Sequence, residues 1–435
     1  MKKTFLFTIA LLMGLLVQSC SNNEDEALKP VSFSIAVKYD ETFNNLVSKN
    51  AAVTIVNNET GNKYTIQSDN NGIAQFNQIL PGTYSVSATK VILATEFTDT
   101  FGYTPTEAEI NFNGSESGLA VNNQTISVNI VMKTSKVGDF VIKQIHYGGS
   151  DTQKGASIRD QFIEIYNNSN TVQYADGLYI AQLYGSFATT VFPYTLANGQ
   201  YDWSKSTDMT IGDKANTDYV YASNVFIIPG DGTKYPVQPG KSLVLAQSAL
   251  NHKSNYMDNS GKSVSILNPE LTLDLSTADF EAFLGTYLGD TYQYDIQNPA
   301  VPDLGIAYWG NKNKDMILDT NGRQGYAIIK MTNTDFAALK KYKNPKGDAT
   351  LYLQVPNSAI IDGVDTTKDL GAGFIPKKLA TQIDGGTTYL PSGFFSSKSV
   401  IRKTKTTIAG RIILQDTNNS SNDFVEITAN PRGFN

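Results

Sequence analysis

The stretch that indicates the fold most clearly is residues 51–88, which read AAVTIVNNETGNKYTIQSDNNGIAQFNQILPGTYSVSA. Residues 53–56 and 84–88 alternate apolar and polar side chains, which is the period-two pattern of a strand with one buried face. Turn-forming clusters, NNETG at 57–61 and DNNG at 69–72, separate the apolar pieces, and their Asn and Gly residues tolerate positive φ. The stretch therefore predicts successive β-strands joined by tight turns.

The composition extends this prediction to the whole chain. The 435 residues are 40% hydrophobic and only 17% charged, with 23 Tyr, 21 Phe and 34 Gly, a mixture that suits strands joined by polar turns. At roughly 100–200 residues per domain, this length predicts two or three domains. The net charge of −6 lacks the basic footprint of nucleic-acid-binding proteins, so no nucleic-acid partner is expected.

The pieces GIAQF (72–76) and ILPGTYSV (79–86) stand in the order found in carboxypeptidase-regulatory-like and Cna-B-like domains, which this part of the chain resembles. The alternation continues outward over 31–37 and 126–130. The resemblance implies a small β-sandwich over residues 30–134 that acts as a spacer or stalk without chemistry of its own.

The second half of the chain resembles the lamin tail domain, an Ig-like sandwich. The matching pieces are FIEIYN (162–167), PGKSLVLA (239–246), IDGVD (361–365) and SVIR (399–402). The resemblance implies a second sandwich over residues 137–435 with insertions at about 183–224 and 251–356. The layout as a whole is similar to uncharacterised Bacteroidetes surface lipoproteins, and the expected fold class is mainly β, with two Ig-like β-sandwiches.

The insertions are too long to be structureless, and we predict short helices in them. Ser276 and Asp279 stand where they would cap a helix whose apolar residues follow at helical spacing: Phe280, Phe283, Leu284, Tyr287 and Leu288. A shorter helix is predicted over residues 332–342.

The N-terminus has the pattern of a secretory signal peptide. Two lysines precede an apolar run over residues 5–17, which is shorter than the roughly 20 residues that span a bilayer. VQSC at 17–20 then resembles the lipobox of bacterial lipoproteins. We therefore predict a signal peptide over residues 1–19 and acylation of Cys20, the only cysteine of the chain.

The residues after Cys20 predict where the protein is displayed. Residues 20–29 form an acidic tether that includes Glu24, Asp25 and Glu26, and it resembles the surface-export signal of Bacteroidetes lipoproteins. The expected location is the outer membrane, with the chain anchored in its lipid through Cys20 and exposed at the cell surface.

Aromatic residues in the insertions are the candidate ligand-binding residues. Both tryptophans lie there, in YDW at 201–203 and in YWGN at 308–311. Aromatic rings cover the apolar faces of sugars while nearby amides bind hydroxyls. The candidates are Tyr201, Trp203, Tyr308, Trp309 and Asn311. The alternative is that these rings only pack the insertions.

No motif predicts catalysis or a cofactor. The chain has no G-x-S-x-G or H-E-x-x-H, and His146 and His252 are its only histidines. The loops at 319–322 and 416–419 carry the oxygen ligands that Ca²⁺ prefers but lack the EF-hand spacing, and Asx turns explain them more simply. We therefore predict no catalytic residue and no resident metal, with Ca²⁺ as the alternative.

These observations predict a non-catalytic binding protein for an extracellular glycan or peptide, with an outer-membrane transporter as a further partner. Two alternatives stay open: a structural or adhesion protein of the cell surface, and a hydrolase that uses a carboxylate pair.

Overall fold

The structure, a computed structural model, describes residues 29–40, 43, 45–101, 109–125, 127–134, 140–169, 172–186, 194–368, 375–408 and 410–435. The predicted signal peptide, Cys20 and the acidic run at 24–26 lie outside these residues. The fold is mainly β, as the composition predicts.

The described residues of 31–134 form one seven-stranded sheet and one α-helix. Their elements are β1 (Val31–Tyr39), β2 (Ala52–Asn57), β3 (Lys63–Gln67), β4 (Ile73–Ile79), β5 (Gly82–Leu93), α1 (Ala94–Phe101), β6 (Glu109–Val121) and β7 (Ser127–Thr134). The strand order is β3-β2-β5-β6-β7-β1-β4. β1 pairs parallel with β7 and antiparallel with β4.

The alternation seen in the sequence determines what this sheet buries. In β1 every second residue is buried, from Phe33 to Tyr39. The ring of Tyr39 lies edge-on to that of Phe112 on β6, with centroids 4.7 Å apart. The apolar faces of the strands therefore meet in one core, and their polar faces are left outside.

The described residues of 140–435 form two large sheets and three two-stranded sheets. The strands that precede residue 260 are β8 (Phe140–Ile145), β9 (Phe162–Asn167), β10 (Gln173–Tyr174), β11 (Tyr179–Leu183), β12 (Tyr219–Ile227), β13 (Pro236–Val237), β14 (Ser242–Ala246) and β15 (Tyr256–Met257). The later strands are β16 (Ser263–Val264), β17 (Phe280–Glu281), β18 (Gly305–Trp309), β19 (Gly325–Ile329), β20 (Lys341–Lys343), β21 (Leu351–Pro356), β22 (Ile360–Asp365), β23 (Lys398–Arg402), β24 (Thr404–Ile408), β25 (Arg411–Leu414) and β26 (Phe424–Thr428).

The helices of this part are short. They are α2 (Lys214–Thr217), α3 (Gly285–Leu288), α4 (Asn333–Ala337) and α5 (Ser420–Asp423), with 3₁₀ turns at Trp203–Lys205, Pro269–Leu271 and Asn357–Ala359. Among the described residues, no helix is long and apolar enough to cross a membrane.

The two large sheets face each other across a shared core. One has the order β17-β14-β9-β8-β23-β26, and the other has the order β20-β21-β12-β11-β19-β22 with β18 paired to β12. Ile145 and Ile165 of the first sheet and Phe226 and Ile328 of the second belong to one apolar cluster. The second sheet also buries its outer face, against Leu379 and Ile383 among others, so β11 and β19 are buried at every residue.

The insertions expected at 183–224 and 251–356 are part of this framework. β19 lies between β11 and β22, and β21 and β18 both pair with β12. These stretches therefore supply strands of the second sheet as well as surface loops.

The helix predicted after Ser276 is wrong over most of its length. Phe280 and Glu281 form β17, which pairs parallel with Leu245 and Ala246, and only Gly285–Leu288 is helical. Burial of Phe280 in the shared core outweighs the helical spacing of the apolar residues. The second predicted helix is confirmed in part as α4, which Thr332 caps by accepting the N–H of Asp335 at 3.1 Å.

Candidate functional site

Two of the five candidate residues lie in the core. Trp203 is 3% exposed and Tyr201 2% exposed. The Trp203 ring stacks on Tyr221 at 3.8 Å between centroids with a 12° interplanar angle, and Tyr201 meets it edge-on at 5.6 Å. The structure therefore corrects the sequence expectation for these two rings: they pack an aromatic cluster and have no free face for a ligand.

The other three candidates lie at the surface, at the end of β18. Asn224 and Val225 of β12 pair with Trp309 and Tyr308. Trp309 is half-buried; its ring lies edge-on to Phe226 at 5.8 Å, and its Nε1 donates to the Asn313 carbonyl at 3.0 Å. These contacts hold the ring in place and leave part of it accessible.

Tyr308 and Asn311 have different surroundings from each other. The Tyr308 hydroxyl donates to the Leu351 carbonyl at 2.6 Å, and Lys341 Nζ lies 5.0 Å from the centroid of its ring. Asn311 Oδ1 accepts the N–H of Asn313 at 2.9 Å, which shapes the turn that follows β18. Asn311 lines both of the cavities described next.

Two cavities flank the turn at Asn311 and Lys312. One, of about 230 Å³, is lined by Leu288, Asp290, Trp309, Asn311, Lys312, Asn313 and Lys314. The other, of about 260 Å³, is lined by Tyr184, Gly185, Ser223, Asn311, Lys312, Asp319, Arg323, Gln324, Thr350 and Tyr352. We call the second one the tyrosine pocket.

Aromatic and polar groups meet in the tyrosine pocket. The rings of Tyr184 and Tyr352 lie 4.2 Å apart between centroids, and both belong to the aromatic cluster that contains Trp203. Burial raises the pKa of Tyr184, and its hydroxyl accepts from Asn344 Nδ2 at 2.8 Å. Buried aromatic packing thus holds both rings at the base of a polar cavity.

The polar side of the pocket is ordered by its own hydrogen bonds. Arg323 Nε donates to Asp319 Oδ2 at 2.7 Å, and Asp319 Oδ1 accepts the N–H of Asn321 at 2.9 Å. Gln324 Oε1 accepts the N–H of Asp319 at 3.0 Å. The guanidinium, carboxylate and amide groups are therefore positioned before any ligand arrives.

Sequence reasoning missed most of this pocket. Tyr184, Arg323 and Tyr352 are far apart along the chain and meet because β11, β12, β19 and β21 belong to one sheet. Two sequence signals pointed to its lining: the candidate Asn311, and the polar loop at 319–322, which we interpreted as an Asx turn. Asp319 does accept the N–H of Asn321 in that way.

Glu281 and Asp295 are two buried carboxylates with raised pKa values, and both are used to hold loops together. Burial raises the pKa of Glu281 and that of Asp295 to about 7 each. Glu281 accepts the backbone N–H of Ala249 at 2.9 Å, and Asp295 accepts those of Leu284 and Gly285 at 2.9 and 2.8 Å. Both side chains are buried and hold loops together, whereas a catalytic carboxylate must reach substrate.

Both histidines are also buried. His146 Nδ1 lies 3.0 Å from the Lys398 carbonyl, and its Nε2 lies 3.6 Å from Asp160 Oδ1. His252 Nε2 lies 3.1 Å from the Ser248 carbonyl, and burial lowers the pKa of His252. These contacts connect loops of the second half of the chain.

The two loops named as the calcium alternative use their carboxylates internally. Asp319 contacts Arg323 and the N–H of Asn321, and Asp416 Oδ1 contacts Arg402 Nη1 at 3.0 Å. In the part of the chain that the structure describes, no group of three or more His, Cys, Asp or Glu side chains is arranged to hold a metal ion.

A family model of unknown function matches part of the chain. Residues 238–431 match a family described as "Protein of unknown function (DUF4876)". The structure is similar to that of a DUF4876 family protein from Bacteroides thetaiotaomicron, at 23% identity and a TM-score of 0.52, over 93% of this chain and 97% of that one. This likeness shows a shared fold.

A second solved structure matches only weakly. It is fervidolysin from Fervidobacterium pennivorans, a keratinolytic enzyme related to subtilisin, at 12% identity and a TM-score of 0.18, over 36% of this chain and 20% of that one. A similarity at that level carries no argument about this chain. No curated protein matches the sequence.

Proposed function

We propose that this protein is a surface-exposed lipoprotein that binds an extracellular glycan without catalysis, and that the tyrosine pocket receives the sugar. The observation that carries the proposal is the meeting of two tyrosine rings with amide, guanidinium and carboxylate groups around one open cavity. The neighbouring cavity beside Trp309 extends the surface available to a longer chain.

The chemistry of the lining suits a sugar. A pyranose ring presents apolar C–H groups, which pack on aromatic carbon, and a rim of hydroxyls, which need both donors and acceptors. Tyr184 and Tyr352 supply the aromatic carbon. Arg323 and Asn311 supply donors, and Asp319 and Gln324 supply acceptors.

The sequence supports the location. The lipobox at 17–20 and the acidic run at 24–26 are the basis for placing the protein on the outer membrane, anchored through an acylated Cys20. An outer-membrane transporter that takes up the captured glycan is the partner we propose in that setting.

Tryptophan fluorescence of residues 21–435, measured against a panel of host and plant glycans, tests the proposal. Trp309 lines one cavity, and Trp203 lies in the aromatic cluster below the other, so a bound sugar is expected to give a saturable change. If no glycan in the panel gives a saturable change in fluorescence, the result contradicts glycan binding and favours adhesion to another protein.

Two substitutions locate the site once a glycan binds. Arg323→Ala and Asn311→Ala remove groups that line the tyrosine pocket, and each is expected to weaken binding at least tenfold, or about 1.4 kcal/mol. Arg432→Ala and Asn122→Ala are matched controls, because neither residue lines the described cavities. Equal affinity in all four variants would place the ligand elsewhere.

A further inference from the structure

A buried lysine and two buried aspartates form a cluster outside the proposed binding site. Asp365 ends β22, Lys378 follows it by 13 residues, and Asp384 lies on the same loop. All three are buried, with relative exposures of 0%, 4% and 0%. Neither of the cavities beside Asn311 is lined by any of them.

The contact between Lys378 and Asp365 is not an ordinary hydrogen bond. Lys378 Nζ touches Asp365 Oδ1, yet within the described part of the chain Oδ1 has no hydrogen-bond partner, so the amine lies outside hydrogen-bonding geometry. Nζ donates instead to the Thr366 carbonyl at 2.6 Å. The amine is therefore held against the carboxyl group by a neighbouring contact.

The other oxygen of Asp365 is held differently. Oδ2 accepts two backbone N–H groups, from Lys378 at 2.7 Å and from Leu379 at 3.1 Å. Two such donors aimed at one oxygen stabilise the negative charge that develops when a nucleophile attacks the adjacent carbon. This arrangement polarises the Asp365 carboxyl group toward attack.

A second buried pair in the same protein shows the ordinary case. Lys143 Nζ donates to Glu164 Oε1 at 2.8 Å in good geometry, and Ser242 Oγ donates to the same oxygen at 2.5 Å. The other oxygen, Oε2, accepts the N–H of Arg432 at 3.1 Å. Both oxygens of Glu164 are thus hydrogen-bonded, which stabilises a lasting ion pair.

Asp384 is a second buried carboxyl group that adjoins Asp365 through its backbone. Its Oδ2 accepts the N–H of Asp365 at 2.7 Å and contacts the Ser420 hydroxyl. Burial raises the pKa of Asp384 and lowers the pKa of Lys378. Both shifts favour the neutral forms, an amine that can act as a nucleophile and, at Asp384, a carboxylic acid that can donate a proton.

We propose that Lys378 and Asp365 are joined by an intramolecular isopeptide bond that forms after folding. Lys378 Nζ bonds to Asp365 Cγ, the Cγ–Oδ1 bond breaks, and Oδ1 leaves as water. The Lys378 ammonium gives one proton to Oδ1 and so becomes the nucleophilic amine. Asp384 donates the second proton to the leaving oxygen and recovers one from the attacking nitrogen. Ammonium plus carboxylate thus become amide plus water, and no other reactant is needed.

The mass of the purified protein, residues 21–435, tests the bond directly. The expected intact mass is that of the sequence less one water molecule. After tryptic digestion, the peptide of residues 347–368 should be joined to the peptide that carries Lys378, while the peptides of Lys143 and Glu164 stay separate. A full sequence mass with separate peptides overturns the proposal.

Variants give a second readout. Lys378→Met and Asp384→Ala should both show their full sequence masses. Asp365→Asn should lose ammonia in place of water, so that its product has the mass of the bonded parent protein. An Asp365→Asn protein that stays at its full mass, beside a parent that has lost water, would place the bond at another pair.

Discussion

At the scale of single residues, the second half of the chain is notable for buried charge. The Arg402 side chain is 2% exposed; its Nη2 donates to both oxygens of Asp362 at 2.9 and 2.8 Å, and its Nε donates to the Ile142 carbonyl at 2.9 Å. Asp416 and Asp423 lie 3.0 and 3.5 Å from its Nη1. Burial raises the pKa of Asp362 and that of Asp423, and the guanidinium opposes both shifts.

Arg402→Met should therefore be strongly destabilising. Removal of one partner of a buried ion pair leaves uncompensated charge and typically costs about 3–5 kcal/mol. Arg432→Met is the control: its ion pair with Asp279 is partly exposed, and such pairs contribute about 0–1 kcal/mol. Urea unfolding of both variants measures the difference, and equal losses would show that the Arg402 cluster contributes no more than a surface pair.

At the scale of elements, the strands follow from local pattern and the turns from special backbone geometry. The turn between β3 and β4 contains Gly72 at φ +75°, and its carbonyl accepts the N–H of Val37 on β1 at 2.8 Å. A Cβ on Gly72 would lie 2.6 Å from the Val37 carbonyl oxygen. The turn DNNG therefore has a tertiary contact that its local sequence does not reveal.

Gly72→Ala should cost more stability than Gly61→Ala. Both glycines have positive φ, +75° and +72°, so both variants bear backbone strain of about 1–3 kcal/mol. Only Gly72 adds a clash with backbone, since a Cβ on Gly61 meets nothing within 4 Å. Thermal unfolding of the two variants tests this prediction. A lower melting temperature for Gly61→Ala than for Gly72→Ala would refute it.

At the scale of the whole molecule, the core of the second half holds acids whose pKa values burial raises. Glu281 and Asp295 are both raised to about 7, from ordinary values of 4.5 and 3.8. Between those values the folded protein binds a proton that the unfolded chain has lost, so the free energy of unfolding falls as pH rises. The contribution of these acids is fully present at low pH and is lost by about pH 7.

Asp295→Asn should remove its share of this pH dependence. The amide oxygen can still accept the N–H groups of Leu284 and Gly285, which both donate to Oδ2, and the side chain stays neutral at every pH. The variant should gain stability relative to the parent as pH rises from about 4 to about 7.

Asp258→Asn is the matched control for this experiment. The hydroxyl of Ser260 and the amide of Gln293 lower the pKa of Asp258 from 3.8 to about 2, so that carboxylate is ionised in both states over most of the range between pH 4 and pH 7. The difference in free energy of unfolding between Asp258→Asn and the parent should stay nearly constant from about pH 4 to about pH 7, the range in which the difference for Asp295→Asn changes. A constant difference for Asp295→Asn as well would show that Asp295 is ionised in the core.

The sequence by itself determined the fold class, since alternation over residues 31–37 and 84–88 specifies strands with one buried face wherever it occurs. It also suggested Trp309 and Asn311 as candidate ligand-binding residues, because aromatic and amide residues are adjacent there, and this stays a prediction. The signal peptide, the acylated cysteine and the acidic tether expected within residues 1–29 stay predictions. The helix predicted from the local pattern was wrong at Phe280, because pairing with β14 and burial in the shared core outweighed the helical spacing of the apolar residues.

Only the tertiary structure decided which rings are buried and which residues form a pocket. Trp203 and Trp309 have similar neighbours in the sequence, yet one stacks on Tyr221 inside the protein and the other lines a cavity. Tyr184, Arg323 and Tyr352 come together because strands distant along the chain share a sheet. Strand order depends on contacts between residues far apart in sequence, which no local spacing of residue types encodes.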